Sequence, residues 1–391
     1  MIYLDNAAST APAPEMLHAM AAAAGTFYAN PSSAHGLGAA AARALAEARA
    51  GVARLFGAAA GDVIFTSGGT EANALGTLGV AAAARGRHVV VSAIEHPAVL
   101  RSIAALAQRG FAVSMVAPGP DGVVSAEAIV AATRPDTALV ALMLVNNELG
   151  TLQPVAAVAR ALRAAGLRAH IHCDAVQSAG LHPVDVKVLG VDSVALSAHK
   201  LHGPKGIGAL WLRPGARLEP LWDGGRQEKA LRSGTENLPG AVGFARAAAL
   251  ALGDSETRAR VAALRDEFEA HAARLIPEAR PTVPVTAPRT PHIASLLLPT
   301  LPAEPLLHAL EARAVFASAG SACASRNQAQ SHVLAAIGVP STAAVLRFSF
   351  GRYNAAGDPE AAALALRAAV DEVAPFARLQ GASRSARNLA R

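Results

Sequence analysis

The stretch LSAHKLHGPKGIGAL, residues 196–210, holds two of the four lysines in the chain, Lys200 and Lys205; Lys187 and Lys229 are the others. Lys200 stands just past the apolar run Val194–Ser197. A lysine at the end of a buried strand is partly desolvated, which favours its neutral amine and makes it a nucleophile toward an aldehyde. Ser197 and His199 precede it, while Lys205, in GPKG, would serve the turn or a nearby anion. Taken alone, an HK dipeptide is more often solvated loop charge.

Three other stretches point the same way. FTSGGTEANA, 65–74, runs from a strand end through two glycines into a helix-forming segment. That is a nest of backbone amides at a helix start, suited to a phosphate. It lacks GxxxxGK[ST], so it is no nucleotide P-loop; alone, it reads more simply as a helix capped by Ser67 or Thr70. In HIHCDAVQ, 170–177, Asp174 ends an apolar run. A buried acid there is costly unless it meets a donor or a cation, and a protonated pyridine nitrogen is such a cation. EHPAV puts His96 at a strand end, where its ring could lie over another, and Gln177 could reach a phenolic oxygen. Lysine, acid and nest are the Schiff-base amine, ring-nitrogen partner and phosphate anchor that pyridoxal phosphate requires.

The two cysteines, Cys173 and Cys323, cannot form a disulfide framework. Cys173 alternates with His170 and His172 along one strand, but zinc needs three or four converging ligands, so Cys173 reads as a small core residue. Cys323, in ASAGSACASRN, sits among small residues and near Arg326, as a loop thiol with a reactive thiolate would. Arg347, in LRFSFGRYN, lies on a strand pattern where its guanidinium could take a carboxylate at two points. GLGAAA, 36–41, matches GxGxxA, yet it follows the loop NPSSAH rather than a strand, so it is discarded as a dinucleotide site.

These groups need a scaffold. Val89–Ser92, Ala138–Val145, His170–Cys173, Val194–Ser197 and Ile207–Leu212 read as strands; Ala98–Arg109, Ala126–Ala132 and Val155–Ala165 read as the helices between them. This alternation predicts an α/β fold with a mostly parallel sheet covered on both faces. Ligands then sit at the carboxyl ends of the strands, where Glu95-His96, Asn146–Glu148, Asp174–Gln177 and Ser197–Lys200 fall. A long helical stretch, Val242–Leu275, breaks near Gly253-Asp254. The Pro-rich segment 277–291 reads as irregular chain before a second α/β region, which places a domain change near 250–255.

The bulk numbers narrow the class. With 391 residues and 52% hydrophobic content the chain is globular and has room for two or three domains. The formal charge of +6 is mostly arginine with interspersed signs, so no nucleic-acid partner is expected. No apolar run reaches roughly 18 residues, and no membrane span is expected. MIYLDNAAST lacks a signal-peptide pattern, and with so few cysteines the expected compartment is the cytoplasm.

From YLDNAAST through NPSSAHGLG, FTSGGTEAN, EHPAV, VNNELG, CDAVQ, SAHKLHGPKGIG, RSGTEN, GSACAS and RFSFGR, the chain resembles the cysteine desulfurases of the NifS/IscS type. These are pyridoxal-phosphate enzymes of the class V aminotransferase family, with the aspartate-aminotransferase fold (fold type I). The resemblance covers nearly the whole chain. It implies a large cofactor-binding domain, 15–252, around a mostly parallel seven-stranded sheet. A smaller α/β domain would comprise 1–14 and 253–380 and carry the cysteine loop. The tail 381–391, GASRSARNLAR, with three arginines and little apolar content, is expected to be frayed and flexible.

The resemblance further implies roles. Lys200 would form the Schiff base, His96 would stack on the ring and help move protons, Asp174 would pair with the ring nitrogen and Gln177 with the phenolic oxygen. Gly69, Thr70, Ser197 and His199 would hold the phosphate, and Thr235 would reach it from the other subunit of a homodimer. Asn147 would touch the cofactor; Asn30 and Arg347 would bind L-cysteine. Cys323 would take the sulfur as a persulfide and pass it to an acceptor such as an iron–sulfur scaffold. No resident metal is implied, although Cys323 could ligate a cluster in transit. Arg226, Lys229 and ASRNQAQ depart from the family pattern and leave the acceptor open. Another pyridoxal-phosphate lyase or aminotransferase, such as a selenocysteine lyase, would keep Lys200 and Asp174 without needing Cys323. A non-catalytic docking protein of the same fold is the third reading.

Overall fold

The computed structural model describes residues 1–320 and 330–389, without the side chains from 376 onward. Seven strands form the main sheet: β1 (Val63–Thr66), β2 (His88–Ser92), β3 (Ala112–Val116), β4 (Thr137–Ala141), β5 (His170–Asp174), β6 (Ser193–Ser197) and β7 (Gly208–Leu212). Their order is β1-β7-β6-β5-β4-β2-β3. Only β7 runs against its neighbours, antiparallel to both β1 and β6. The ten residues between Ser197 and Gly208 are too few for a helical crossover, so the chain must turn back. Strands β1, β2, β4 and β6 are buried at every position, because helices cover both faces.

The predicted strand Ala138–Val145 stops at Ala141. Leu142 and Leu144 still donate their amides to the β5 carbonyls of His172 and Asp174, at 3.1 and 2.8 Å. On the other side the Glu95 carboxylate takes the Met143 amide at 2.7 Å, which replaces the ladder to β2. Residues 142–145 thus stay buried beyond the end of β4, where Val145 bridges to Leu152 and the Leu144 carbonyl accepts the Gln153 amide at 2.9 Å.

The predicted helices fall at Pro97–Gln108, Ala126–Ala132 and Val155–Ala164. The long helical stretch is Leu238–Leu252 followed by Ser255–Leu275. Asp254 makes the break: its Oδ1 accepts the Thr257 amide at 2.8 Å and caps the second helix.

A second sheet is antiparallel. It comprises β8 (Arg280–Pro281), β9 (Ile293–Leu298), β10 (Ser318–Ala319) and β11 (Ala344–Ser349), in the order β10-β11-β9-β8. Apart from β8, the segment 277–291 is irregular, as its prolines require. Phe268 packs against Phe348 and Phe350, with ring centroids 4.5 and 5.8 Å away. The first residues of the chain belong here: Leu4 is in this core, and Ile2–Tyr3 pairs in parallel with Val315–Phe316. The last helix runs Asp358–Leu389, so the backbone of 381–389 continues it where fraying was expected. Past Gly381 that stretch has no helix breaker and is rich in alanine and arginine, both strong helix formers.

Candidate active site

At the carboxyl ends of β4, β5 and β6 lies a cavity of about 270 Å³. Lys200 borders it from the single turn after β6. The Lys200 Nζ donates to the carbonyl oxygens of Ala7 at 2.5 Å and Ala8 at 3.0 Å. The segment holding those carbonyls is itself clasped by the lysine turn. The Thr10 amide and Oγ1 both donate to the His199 carbonyl, at 3.0 and 2.8 Å, and the Thr10 Oγ1 accepts the His202 amide at 2.7 Å. Gly208 lets β7 pass beneath the GG turn: a Cβ there would lie 2.6 Å from the Gly68 carbonyl carbon.

Asp174 faces the cavity at the end of β5 and is 5% exposed. Burial pushes its carboxyl up from the usual range; the nearby His96, the Val176 amide at 2.9 Å and the Asn73 amide at 2.7 Å pull it down. His96 caps the helix Pro97–Gln108, its Nδ1 accepting the Ala98 amide at 3.1 Å. Burial lowers its pKa, with Lys200 and His332 also lowering it and Asp174 opposing. The ring is therefore neutral at pH 7, and with Nδ1 occupied as an acceptor its proton is on Nε2.

Gly69 and Thr70 begin the helical run Gly69–Ala83 at the cavity wall, beside Ser197 and His199. A Cβ on residue 69 would sit 2.8 Å from Val176 Cγ2, so a glycine lets the turn after β5 and this helix meet. His199 is held near pKa 4 by burial and by the charges of Lys200 and Lys205, so it is a neutral hydrogen-bonding group. Gln177 and Asn147 line the same space, and the Gln177 Nε2 donates to the Ala7 carbonyl at 2.6 Å. Arg347 enters from β11, 2% exposed, with its Nη1 donating to the Asn147 carbonyl at 2.7 Å. Its Nε is buried with no partner among the described residues.

Two predicted site residues are not brought to this cavity. Asn30 is exposed, its Oδ1 accepting the Ser32 amide at 2.8 Å, and Thr235 is exposed in the loop before the helix Leu238–Leu252. Cys323 lies outside the described residues. Conversely, Ala7, Ala8, Asn73 and Met143 line the site although none of them is predicted there. Only the polar Asn73, within GGTEAN, carries a signal that could have been read.

The donor set suits pyridoxal phosphate: amides and hydroxyls on one side, a buried strand-end carboxylate on another, and an amine, an imidazole and a guanidinium lining the same space.

A family model, Aminotransferase class-V, matches residues 2–361. A cysteine desulfurase of Cereibacter sphaeroides is 42% identical over 362 residues, covering 91% of this chain and 92% of its own. Among solved structures, a NifS-like protein superposes with a TM-score of 0.88 at 33% identity, over 95% of this chain and 100% of that one. The structure of SspA in complex with cysteine matches with a TM-score of 0.78 at 32% identity, over 91% of this chain and 100% of that one. The chain belongs to the class-V aminotransferase family, among its pyridoxal-phosphate-dependent cysteine desulfurases of the NifS/IscS type.

Proposed function

We propose that the protein removes sulfur from L-cysteine, releasing L-alanine and leaving a persulfide on Cys323. The observation that carries this reading is the meeting, in one cavity, of Lys200, the buried Asp174 and the Gly69–Thr70 helix start. Pyridoxal phosphate, when bound, withdraws electrons from the Cα of an amino acid joined to it. Lys200 would hold the cofactor and then shuttle the Cα proton. Asp174 would keep the ring nitrogen protonated, and Gln177 would face the phenolic oxygen. Gly69, Thr70, Ser197 and His199 would bind the phosphate with neutral donors, which the low pKa of His199 supports.

His96, neutral with a proton on Nε2, would cover the ring and donate to the substrate thiolate side. Asn147, Asn30 and Arg347 would bind and orient the cysteine, Arg347 through its carboxylate. The Cys323 thiolate would then attack the substrate sulfur. The S–S bond forms as the C–S bond breaks; the bonding electrons stay on carbon, which takes a proton and becomes the alanine methyl. No outside oxidant is required. The persulfide is a reversible carrier, and an iron–sulfur scaffold or another thiolation partner would receive it. A homodimer in which Thr235 reaches the neighbouring phosphate would account for its exposure here.

The test is sulfide release from cysteine in the presence of dithiothreitol. Cys323→Ala should lose about 100-fold or more in rate, as loss of a nucleophile does, while the visible band of the bound cofactor survives. Undiminished sulfide release in that variant would sink the role of this thiol.

A further inference from the structure

A line of buried hydrogen bonds ends on Asp174, and each link in it has one possible direction. A carboxylate only accepts, so the Asn73 Nδ2, 2.7 Å from Asp174 Oδ2, must be the donor. The same amide then turns its Oδ1 toward His172 Nε2 at 2.9 Å, and that nitrogen must carry a proton. His172 is neutral, since burial and then the neighbouring His170 push its pKa down to about 3. Its Nδ1 is therefore bare, and accepts from the Ser193 Oγ at 2.8 Å. Ser193, having given its hydrogen, accepts from His170 Nε2 at 2.8 Å.

The fold is built around this line. His170, His172 and Asp174 share one face of β5 by strand alternation. Asn73, His172 and Ser193 are each at most 1% exposed. The imidazole of His172 lies against Gly76, where a Cβ would be 2.3 Å from its Cε1, and the helix widens into a π turn over Leu75–Gly79 at that point. Such turns occur mostly as single bulges inside α-helices, frequently at functional sites.

We propose that His172, with its proton on Nε2 and the Ser193 hydroxyl on its bare Nδ1, is a positioning residue that locks the Asn73 amide with its donor toward Asp174, and so keeps Asp174 charged and aimed at the cofactor's ring nitrogen. A flipped amide would present its oxygen to the carboxylate; the protonated Nε2 of His172 forbids that flip, because it would then face an NH₂. The inference rests on the reading that Asp174 pairs with that nitrogen. His96 and Lys200 also face Asp174 from other elements and stay unchanged in every variant below.

The test uses pyridoxal phosphate itself, with its dissociation constant measured by equilibrium dialysis on the apoprotein and the pH midpoint of the bound cofactor's visible band. His172→Leu is expected to weaken binding about tenfold, one charge-assisted hydrogen bond being at stake. It should also raise the midpoint, because a less protonated ring nitrogen repels the neighbouring proton less. His172→Gln, which restores a donor toward Asn73, should recover both to within about twofold. Ser193→Ala, a small change two links from Asp174, should shift both in the same direction by less. Wild-type values in His172→Leu, or a loss in His172→Gln equal to that in His172→Leu, would overturn the proposal. If His172→Leu does not fold, Ser193→Ala decides, and wild-type values there overturn it. A wild type that takes up no cofactor would instead sink the underlying reading of Asp174.

Discussion

Arg347 Nη2 lies 2.9 Å from Asp5 Oδ1, so the fifth residue of the chain neutralises a guanidinium buried in β11. The same carboxylate oxygen accepts from Ser318 Oγ at 2.8 Å, which ties β10 to β11 through the N-terminal segment. The chain start is thereby a structural part of the site: the segment 5–10 joins the guanidinium at one end and the lysine turn at the other.

Removing this carboxylate leaves a buried cation with fewer partners. Asp5→Ala should lower stability by about 1.5–3 kcal/mol, the range for a hydrogen bond to a charged group. Asp5 keeps about a fifth of its side chain exposed, which holds the loss below that of a fully buried pair. The check is a urea titration, in which the midpoint should fall while the slope is unchanged.

Much of this arrangement is legible in the sequence, for a physical reason. Strands β2, β5 and β6 are covered on both faces, so they appear as apolar runs, and a polar residue after such a run marks a strand end; Asp174, His96 and Lys200 are found that way. Strand β3 escapes because it is an edge, with exposed Ala112, Val113 and Met115. The overshoot past Ala141 arises because burial alone does not distinguish a strand from chain whose amides are taken by a side chain, as Glu95 takes that of Met143. His172 and Asn73 were invisible as a unit: one histidine and one asparagine, about a hundred residues apart, look like separate packing choices until β5 and the helix after β1 are brought together.

His292 offers a pH test whose sign is fixed. It is 3% exposed, and its Nδ1 is 2.8 Å from Thr290 Oγ1. Burial, followed by the charges of Arg347, Lys200 and Arg265, holds its pKa near 3. The unfolded value is about 6.5, so between these two pH values the unfolded chain binds a proton that the folded chain does not. The contribution of this neutral histidine is whole above about pH 6.5 and is lost progressively as the pH falls toward 3. His292→Gln cannot titrate, so the melting-temperature gap between wild type and variant should narrow or reverse on going from pH 7 to pH 5. A gap independent of pH would show that burial leaves the His292 pKa at its unfolded value.

Three consecutive residues, Glu228, Lys229 and Ala230, have φ values of 44°, 60° and 62°. None is glycine, and each costs about 1–2 kcal/mol in that left-handed region. What holds the turn is visible. The carboxylate of Glu228 accepts from Arg49 Nη1 and Nη2, at 2.5 and 2.7 Å, and from the Phe65 amide at 2.9 Å, while Lys229 Nζ donates to the Gly61 carbonyl. Two opposite outcomes follow. Ala230→Gly relieves the strain at an exposed position; the gain of 1–2 kcal/mol exceeds the extra chain entropy of glycine, about 0.5–1 kcal/mol, so the protein should become slightly more stable. Arg49→Met keeps the side-chain bulk over Phe65 but leaves a nearly buried carboxylate unpaired, and should cost about 3–5 kcal/mol. Urea midpoints for the two variants, moving apart from that of the wild type, are the measurement. A destabilised Ala230→Gly would mean that its left-handed backbone carries no strain to relieve.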